Sequence, residues 1–347
     1  MRMGVVEMNV AKLGRMLGAG FIFIYASLGY ADAALVARPE VQTFIKSMVD
    51  QHGFQQKQLT DVLIQAQYQP KIIESMDRPY EKKTWDIYKS LFLTPERVTA
   101  GLDFWRDNKA TLARAEKVFG VPAPVIVAII GVETLYGKHQ GTYRVLDALT
   151  TLAFNYPKRS EFFTKELKEY LLLCRDHHVS PTQYMGSYAG AMGKPQFMPS
   201  SYRFYAVDFS GNKRPNLMSN DEDVIGSVAN YFHQHGWKMH EEVVQPAYVR
   251  GSRYKSLAMN SKFADYEYQR LLKAGVRPAK RDSTHPQKAG VIELMTNAGQ
   301  EYWFAYPNFY VITRYNTSPQ YALVVYLLSQ QLYARRAVAE GRIPPKS

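Results

Sequence analysis

The stretch "IIGVETLYG", residues 129 to 137, places a single glutamate, Glu133, at the end of a long apolar run. No charged residue occurs between Val121 and Val132, so nothing in that run can pair with the carboxylate. Desolvation disfavours the charged form of an isolated carboxyl, and we therefore expect Glu133 to hold its proton near neutral pH. General acid catalysis needs a carboxyl of this kind. The alternative is an exposed glutamate that closes a core helix.

The run before Glu133 predicts a helix. "VIVAII", residues 125 to 130, is rich in β-branched residues and is compatible with a buried strand. Pro124 and an uncharged length of twelve residues favour a helix instead. In a helix, Ile129 and Ile130 lie one turn before Glu133 on the same face.

Most of the remaining chain also has helical periodicity. Three further helices are predicted in "SEFFTKELKEYLLLCRDHH", "SNDEDVIGSVANYFHQHGW" and "SPQYALVVYLLSQQLYARRA". Ser160 is the candidate N-cap of the first, Gly236 ends the second, and Ser318 caps the third with Pro319 in its first turn. The sequence thus predicts a mainly helical protein.

One segment has a different pattern. In residues 289–316, two β-rich runs flank Asn297-Ala298-Gly299, which predicts a hairpin or small sheet. The preceding residues 241–288 are polar and irregular. The fold class expected is therefore mainly α with a small inserted β-domain.

The composition indicates a globular chain. Of the 347 residues, 46% are hydrophobic and 21% are charged, which suits about two domains or one domain with an insertion. Aromatic residues make up 13% of the chain and include 25 tyrosines. Much of this fills the core, but tyrosine also suits a groove that stacks on flat sugar faces and offers hydrogen bonds.

The first 33 residues predict a cleavable secretory signal. Arg2, Lys12 and Arg15 precede the uncharged run "LGAGFIFIYASLGY", and "ADA" follows at residues 31–33. The alternative is a membrane-anchor helix, but the 14-residue run is shorter than the roughly 20 residues that such a helix needs. Cys174 is the only cysteine and is predicted to be a small buried hydrophobe. Because no cysteine near residue 33 can carry a lipid, we expect a soluble periplasmic protein without a lipid anchor.

The net charge of +12, which becomes +11 once residues 1–33 with three basic and two acidic side chains are removed, favours an acidic or polyanionic partner. The basic residues are scattered, and no dense basic run or nucleic-acid motif is present. Nucleic acid is therefore not expected as a partner. For an exported protein, the acidic polymers within reach are the cell wall and lipid headgroups.

A second unusual stretch is "GSYAGAMGKPQFMPSSY", residues 186–202. Its glycines permit close backbone approach, while Ser187, Gln196 and Ser200 supply neutral polar groups beside Phe197 and Met198. This mixture suits a neutral polyhydroxylated ligand better than a phosphate. The alternative is a plain glycine-rich loop between helices.

A third stretch has the spacing of a calcium loop. Asp208, Ser210 and Asn212 match its first positions, but Lys213 replaces the turn glycine and Ser219 replaces the bidentate glutamate. Calcium is therefore a candidate ligand and no cofactor is expected to be required. The histidine pairs 177/178 and 233/235 have spacings that point apart on a helix, so no zinc site is predicted.

Together these stretches resemble the B-type lytic murein transglycosylases, which cut bacterial peptidoglycan. The resemblance is carried by "IIGVETLYG", "GSYAGAMGKPQFMPSSYRFYAVDFSG", "DVIGSVANYFHQHGW" and "VITRYN", in that order. After the signal peptide predicted at 1–33, it implies a flanking helical domain at 34–110 joined by the C-terminal helix 317–347, a lysozyme-like catalytic core at 111–240 and a β-containing domain at 241–316.

The resemblance also implies the chemistry. Glu133 would be the single acid/base that cleaves the β-1,4 bond between N-acetylmuramic acid and N-acetylglucosamine and forms a 1,6-anhydro end. The implied sugar-binding residues are Ser187, Gln196, Phe197, Tyr231, Tyr315, Asn316, Tyr88 and Tyr321. The implied calcium ligands are Asp208, Ser210, Asn212 and Asp223. Expected partners are peptidoglycan glycan strands and complexes of cell-wall synthesis, and the enzyme is expected to be a monomer.

Two rival functions stay open on the sequence. A lysozyme-type hydrolase needs a second carboxylate, for which Asp147 and Glu161 are the nearest acidic residues. A wall-binding scaffold would keep the groove without cutting, but a binder gains nothing from a desolvated acid. Relatives with a lipid-modified cysteine and an intact calcium loop differ from this chain at both features.

Overall fold

The computed structural model describes residues 34–77, 83–280 and 286–342. The predicted signal, residues 1–33, lies outside the described residues. The chain divides into two compact units, one up to Gln67 and one from Tyr68. In the first unit, helices α1 (Pro39–His52) and α2 (Gln56–Ile64) pack together.

The second unit is mainly helical. Its helices are α3 (Pro70–Met76), α4 (Trp85–Phe92), α5 (Pro95–Asp107), α6 (Lys109–Phe119), α7 (Ala123–Thr134), α8 (Val145–Asn155), α9 (Ser160–His177), α10 (Pro199–Tyr205), α11 (Asp221–Gln234), α12 (Tyr268–Ala274), α13 (Pro307–Tyr315) and α14 (Pro319–Ala339). Short 3-10 turns cover Pro157–Arg159 and Arg253–Ser256. The architecture is α+β with helices predominating.

Helix α7 lies at the centre of the helical core. Every residue from Val125 to Val132 is buried, which confirms the predicted helix and explains its lack of a polar face. Helices α5, α6, α11 and α14 all contact it. A helix that is apolar all round needs neighbours on every side, and this arrangement supplies them.

The strands form two sheets. A two-stranded ladder joins β1 (Tyr143–Arg144) to β2 (Met185–Gly186). The larger antiparallel sheet has the order β4-β6-β7-β3-β5, from β3 (Val244–Val249), β4 (Tyr266–Glu267), β5 (Val276–Pro278), β6 (Lys288–Thr296) and β7 (Gly299–Ala305). The hairpin β6–β7 turns at Asn297-Ala298, as the sequence predicted.

Two expectations for this region are wrong. Residues 307–315 form helix α13 rather than continuing the β-rich run, because Pro307 starts a helix and short apolar runs do not distinguish helix from strand. Residues 241–288 are not irregular throughout, since β3 lies inside the sheet between β7 and β5. Pro246 within β3 has no N–H to donate, which disguised the strand.

The predicted caps have mixed outcomes. Ser318 caps α14 by accepting from the Tyr321 N–H at 3.4 Å, which confirms the prediction. Ser160 does not cap α9: Arg159 holds the N-cap position, and the Ser160 hydroxyl donates to the Ala153 carbonyl at 2.5 Å. Cys174 is 1% exposed, and burial raises the pKa of its thiol to about 12, as expected for a buried hydrophobe.

Within the described ranges, no single helix has the length and apolar character needed to cross a membrane. One bent pair, α6 with α7, passes that test jointly with a bend of 113°.

Candidate active site

Glu133 lies in the last turn of α7, just before an unusual change of chain direction. Leu135, Tyr136 and Gly137 all adopt left-handed backbone angles, with φ of 50°, 58° and 93°. The Gly137 N–H donates to the Thr134 hydroxyl at 2.9 Å and helps to hold this turn. The turn therefore fixes Glu133 at a helix C-terminus, where the helix dipole disfavours a negative charge.

The glycine in "GVETLYG" makes room for Tyr136. A Cβ at Gly131 would lie 2.4 Å from the Tyr136 hydroxyl oxygen, and a Cβ at Gly101 would lie 2.3 Å from it. The same hydroxyl donates to the Arg97 carbonyl at 3.2 Å, and the ring stacks on Phe104. Tyr136 thus locks the turn that follows Glu133 onto α5.

The carboxyl of Glu133 has one hydrogen-bond donor among the residues described. The Tyr321 hydroxyl donates to Glu133 Oε1 at 2.5 Å. Surrounding protein raises the pKa of Glu133 to about 7, and the Tyr321 hydrogen bond partly opposes that rise. Glu133 keeps partial solvent exposure while Tyr321 is 3% exposed. The arrangement gives a carboxyl that can both lose and regain a proton near neutral pH.

Two of the predicted tyrosines share the environment of Glu133. Burial raises the pKa of both Tyr315 and Tyr321 well above the ordinary value, and the charge of Glu133 adds to the rise. These hydroxyls therefore stay protonated and act as donors. Tyr88, which also raises the pKa of Tyr321, is 3% exposed and packs against Phe92 with ring centroids 5.1 Å apart.

Gln196 lies in a tight turn. Met192 and Phe197 exchange backbone hydrogen bonds of 2.8 and 3.1 Å, which closes a hairpin, here named the Gln196 hairpin, of residues 192–197. Gln196 has φ of 51°, and its side-chain amide donates to the carbonyls of Gln140 and Gly193 at 3.1 and 2.9 Å. Those bonds use both amide hydrogens, so its side-chain oxygen is the atom left to accept from a ligand.

An aromatic cluster packs behind this hairpin. The ring centroids of Phe197, Tyr231 and Tyr315 lie 4.9 to 5.8 Å from one another. The Tyr231 hydroxyl donates to the Arg314 carbonyl at 2.6 Å and the Tyr315 hydroxyl donates to the Pro195 carbonyl at 2.5 Å. Because both hydroxyls donate to backbone carbonyls, these two tyrosines can offer a sugar only their rings and the acceptor capacity of their hydroxyl oxygens.

Ser187 and Asn316 have partly committed side chains. The Ser187 hydroxyl oxygen accepts from the backbone N–H groups of Ala189 and Ala191 at 3.3 and 3.0 Å, so its hydrogen remains to be donated. The Asn316 side-chain oxygen accepts from the Ser318 N–H at 3.0 Å, which leaves its amide hydrogens as donors.

Two cavities are lined by consecutive residues of the chain, Tyr315 and Asn316. A cavity of about 180 Å³ is lined by Gln196, Phe197, Tyr231 and Tyr315 together with Glu166. A second cavity, of about 520 Å³, is lined by residues 316–320, by Lys83 and Thr84 just before α4, by Asn260 and by residues 293–295 of β6.

Sequence reasoning missed Glu166 and Thr134. Glu166 is 5% exposed, and its oxygens accept from the Ser200 N–H and hydroxyl at 2.9 and 2.7 Å. Burial raises the pKa of Glu166, against which the Ser200 hydrogen bonds act. The signal was weak because "KELKEY" reads as the solvent face of an amphipathic helix. Thr134 is 1% exposed and directly follows Glu133.

The predicted calcium loop folds around its own backbone N–H groups. Asp208 accepts from the N–H groups of Gly211, Asn212 and Lys213 at 2.7 to 3.0 Å. Desolvation raises the pKa of Asp208, but the hydrogen bonds from these donors outweigh it, and the pKa is lowered overall. Asp223 is fully buried and accepts from three further backbone N–H groups, each at 2.9 Å.

These residues do not fit a preformed calcium site. All four carboxylate oxygens of Asp208 and Asp223 already accept hydrogen bonds, and Lys213 and Arg214 add positive charge. No group of three or more acidic, His or Cys side chains in the described part of the chain is placed to hold a metal. The metal assignment to Asp208, Ser210, Asn212 and Asp223 stays a prediction from the sequence.

Comparison with known proteins identifies the family. Residues 37–330 match the family model described as "Transglycosylase SLT domain". The chain is 42% identical over 308 residues to membrane-bound lytic murein transglycosylase B of Escherichia coli K12, with 86% of this chain and 84% of that protein covered.

Solved structures agree. Soluble lytic transglycosylase SltB1 from Pseudomonas aeruginosa has 44% identity and a TM-score of 0.78, with 86% of this chain and 100% of that chain covered. Escherichia coli Slt35 in complex with calcium has 43% identity and a TM-score of 0.79, covering 87% and 95%. Pseudomonas aeruginosa SltB3 in complex with NAG-NAM-pentapeptide has 26% identity and a TM-score of 0.73, covering 88% and 79%.

The resemblance stated from the sequence motifs is thereby confirmed, as is the mainly helical, lysozyme-like fold class. The chain belongs to the SLT-domain transglycosylases and is a lytic murein transglycosylase.

Proposed function

We propose that this enzyme cleaves the β-1,4 bond between N-acetylmuramic acid and N-acetylglucosamine with Glu133 as its single acid/base. The observation that carries the proposal is a carboxyl with a pKa of about 7 that accepts a hydrogen bond from the Tyr321 hydroxyl. The charge of Glu133 also raises the pKa of Tyr315, which lines the smaller cavity. The name of the Escherichia coli relative gives murein as its substrate, and SltB3 is described in complex with NAG-NAM-pentapeptide.

The hydrogen-bond pattern assigns the reactive oxygen. Tyr321 donates to Oε1, so the transferable proton is placed on Oε2 of Glu133. In the first step this proton goes to the glycosidic oxygen, and the bond from that oxygen to the muramoyl anomeric carbon breaks. The N-acetyl carbonyl of the same sugar stabilises the positive charge at that carbon.

In the second step Glu133 acts as a base. Its carboxylate takes the proton of the muramoyl 6-hydroxyl while that oxygen bonds to the anomeric carbon. The product is a 1,6-anhydro ring, no water is consumed, and Glu133 ends with its proton restored. A pKa of about 7 suits a group that must donate and then accept. Gln196, Ser187 and Asn316 offer one acceptor and two donor groups to hold the sugars.

The hydrolase alternative lacks a free second carboxylate among the candidates. Asp147 forms a bidentate pair with Arg144, at 2.8 Å for each bond, and Glu161 pairs with Lys165 at 2.7 Å. Glu166 lines the smaller cavity, but both of its oxygens accept from Ser200. A transglycosylase that uses the substrate's own hydroxyl as nucleophile needs none of them.

The test is mass spectrometry of the muropeptides released from purified peptidoglycan. We expect products with anhydro-muramic acid ends, one water lighter than hydrolysis products, from the wild type and none from Glu133→Gln. Products with reducing ends would overturn the proposal in favour of a hydrolase, and Glu166→Gln would then identify the base. Binding without release would favour the scaffold.

We further propose that the enzyme acts in the periplasm as a monomer, on peptidoglycan strands and beside complexes of cell-wall synthesis. The signal-like residues 1–33 support export. Cell fractionation with N-terminal sequencing tests this: a mature chain starting at Ala34 in the soluble periplasmic fraction is expected. Retention of residues 1–33 in the membrane fraction would favour the anchor instead.

A further inference from the structure

The hydroxyl of Thr134 joins three segments of the active site. It donates to the Lys194 carbonyl at 2.7 Å and accepts from the Gly137 N–H at 2.9 Å. The Ile130 carbonyl lies farther away, at 3.4 Å, so the single hydroxyl hydrogen goes to Lys194. Thr134 therefore links the end of α7, the left-handed turn after Glu133, and the Gln196 hairpin.

The hairpin is fastened at two consecutive carbonyls. The Lys194 carbonyl accepts from Thr134, and the next carbonyl, that of Pro195, accepts from the Tyr315 hydroxyl. Both lie immediately before Gln196, whose own side-chain amide is committed within the fold. The ammonium group of Lys194 also pairs with Asp221 at 2.5 Å. The position of Gln196 relative to Glu133 thus depends on a hydroxyl one residue away from the catalytic carboxyl.

We propose that Thr134 is a positioning residue that holds the Gln196 hairpin at the correct distance from the carboxyl of Glu133. The inference rests on the proposed function, in which Glu133 transfers the proton and Gln196 binds the sugar. Without the hydroxyl, the Lys194 carbonyl and the Gly137 N–H each lose a buried partner, and the hairpin is released from α7. Displacements of about 1 Å in positioning groups cost up to about 10²-fold in rate.

The test compares three variants with the wild type on purified peptidoglycan. Thr134→Val keeps the shape of the side chain and removes the hydroxyl, whereas Thr134→Ser keeps the hydroxyl. We expect Thr134→Val to lower kcat about 10- to 100-fold at a temperature where it is fully folded, and Thr134→Ser to stay within about threefold of the wild type. Ser227→Ala is the stability control, since Ser227 is buried and accepts from the Val207 N–H at 2.9 Å.

Two readouts separate positioning from a loss of stability. Ser227→Ala should lower Tm about as much as Thr134→Val while its kcat stays within about twofold of the wild type. The alkaline limb of the pH profile of Thr134→Val should stay near pH 7, because burial and Tyr321 set the pKa of Glu133. If Thr134→Val does not fold, Thr134→Ala replaces it with the same expectations.

Three results would overturn the inference. One is a wild-type kcat in folded Thr134→Val, the second is an equal loss in Thr134→Ser, and the third is an equal loss in Ser227→Ala. Failure of the proposed function looks different, because Glu133→Gln would then retain activity or the wild type would release reducing ends. The two failures are therefore distinguishable in the same set of assays.

Discussion

Glu133 and the aspartates of the 208–223 loop place the same chemical group in opposite surroundings. Within the described part of the chain, Glu133 has one donor, Tyr321, and its pKa rises to about 7. Asp208 accepts from three consecutive backbone N–H groups and its pKa is lowered. Hydrogen-bond donors to a carboxylate favour its charged form, and their scarcity around Glu133 lets desolvation dominate. Burial together with the number of donors therefore separates Glu133 from Asp208, whose side chain is exposed.

The largest effect is expected for Glu133→Gln. The amide keeps the shape and the contact with Tyr321 but cannot transfer a proton, so muropeptide release should fall by at least about 10³-fold. Co-sedimentation with insoluble peptidoglycan should remain at the wild-type level, and circular dichroism should show the same fold. Wild-type release by this variant would remove Glu133 from the mechanism.

Asp223→Asn tests whether the carboxylate of Asp223 stabilises the fold by accepting backbone N–H groups. Asp223 is fully buried, and an amide would turn a donor towards at least one of the backbone N–H groups of Phe209, Ser210 and Asn216. We expect a loss of about 2–3 kcal/mol in the free energy of unfolding. Asp208→Asn, at an exposed position, is the matched control and should lose less than about 1 kcal/mol.

Chemical denaturation measures both variants, and kcat per folded molecule should stay unchanged in each. Equal losses in the two would mean that burial does not distinguish them. A large loss of kcat in either would mean that the loop takes part in catalysis.

Tyr321→Phe should change both the rate and its pH dependence. The Tyr321 hydrogen bond lowers the pKa of Glu133, so its removal raises that pKa further. Activity that needs protonated Glu133 is lost as the pH rises through this pKa, and the alkaline limb should therefore move to higher pH. At pH 7 we expect kcat to fall about tenfold, because the carboxylate formed after the first step loses its donor.

The control for this experiment is Tyr333→Phe, which removes an exposed hydroxyl from the same helix. Its pH profile should match that of the wild type. A shift of the Tyr321→Phe limb to lower pH would contradict the direction given for the pKa of Glu133.

The sequence predicted the helix of Glu133 because twelve uncharged residues admit few other structures. It could not place Tyr321, which is 188 positions away, since periodicity carries no information on which helices meet; only the family resemblance named that residue. It could not show that Tyr231 and Tyr315 donate their hydroxyls to backbone carbonyls, because those contacts depend on tertiary packing.

Other failures have local causes. Helix α13 was hidden because "FYVIT" is a short β-branched run, for which strand and helix patterns coincide. Glu166 was missed because it lies among other charged residues of α9, which together look like a solvent-exposed face. Its burial depends on Ser200, which lies opposite and donates a hydrogen bond to it. Single residues in the active site are thus less predictable than the helices that carry them.

The smallest effect is expected from removal of divalent cations. Lys213 occupies the left-handed turn position with φ of 83°, and its N–H already bonds to Asp208 Oδ2 at 2.7 Å. A chelator should therefore shift Tm by less than about 1 °C, whereas a cation held at 100 times its Kd would stabilise the protein by about 2.7 kcal/mol.

Lys213→Gly sharpens this last test, because it removes one positive charge and restores the glycine of the standard loop. If the lysine is what keeps calcium out, added calcium should raise the Tm of Lys213→Gly and leave that of the wild type unchanged. A calcium response in the wild type would show that Asp208 and Asp223 exchange their N–H donors for a cation. In that case the two aspartates could be stabilised as anions either by backbone N–H groups or by a bound cation, whereas Glu133 has only the Tyr321 hydroxyl among the described residues.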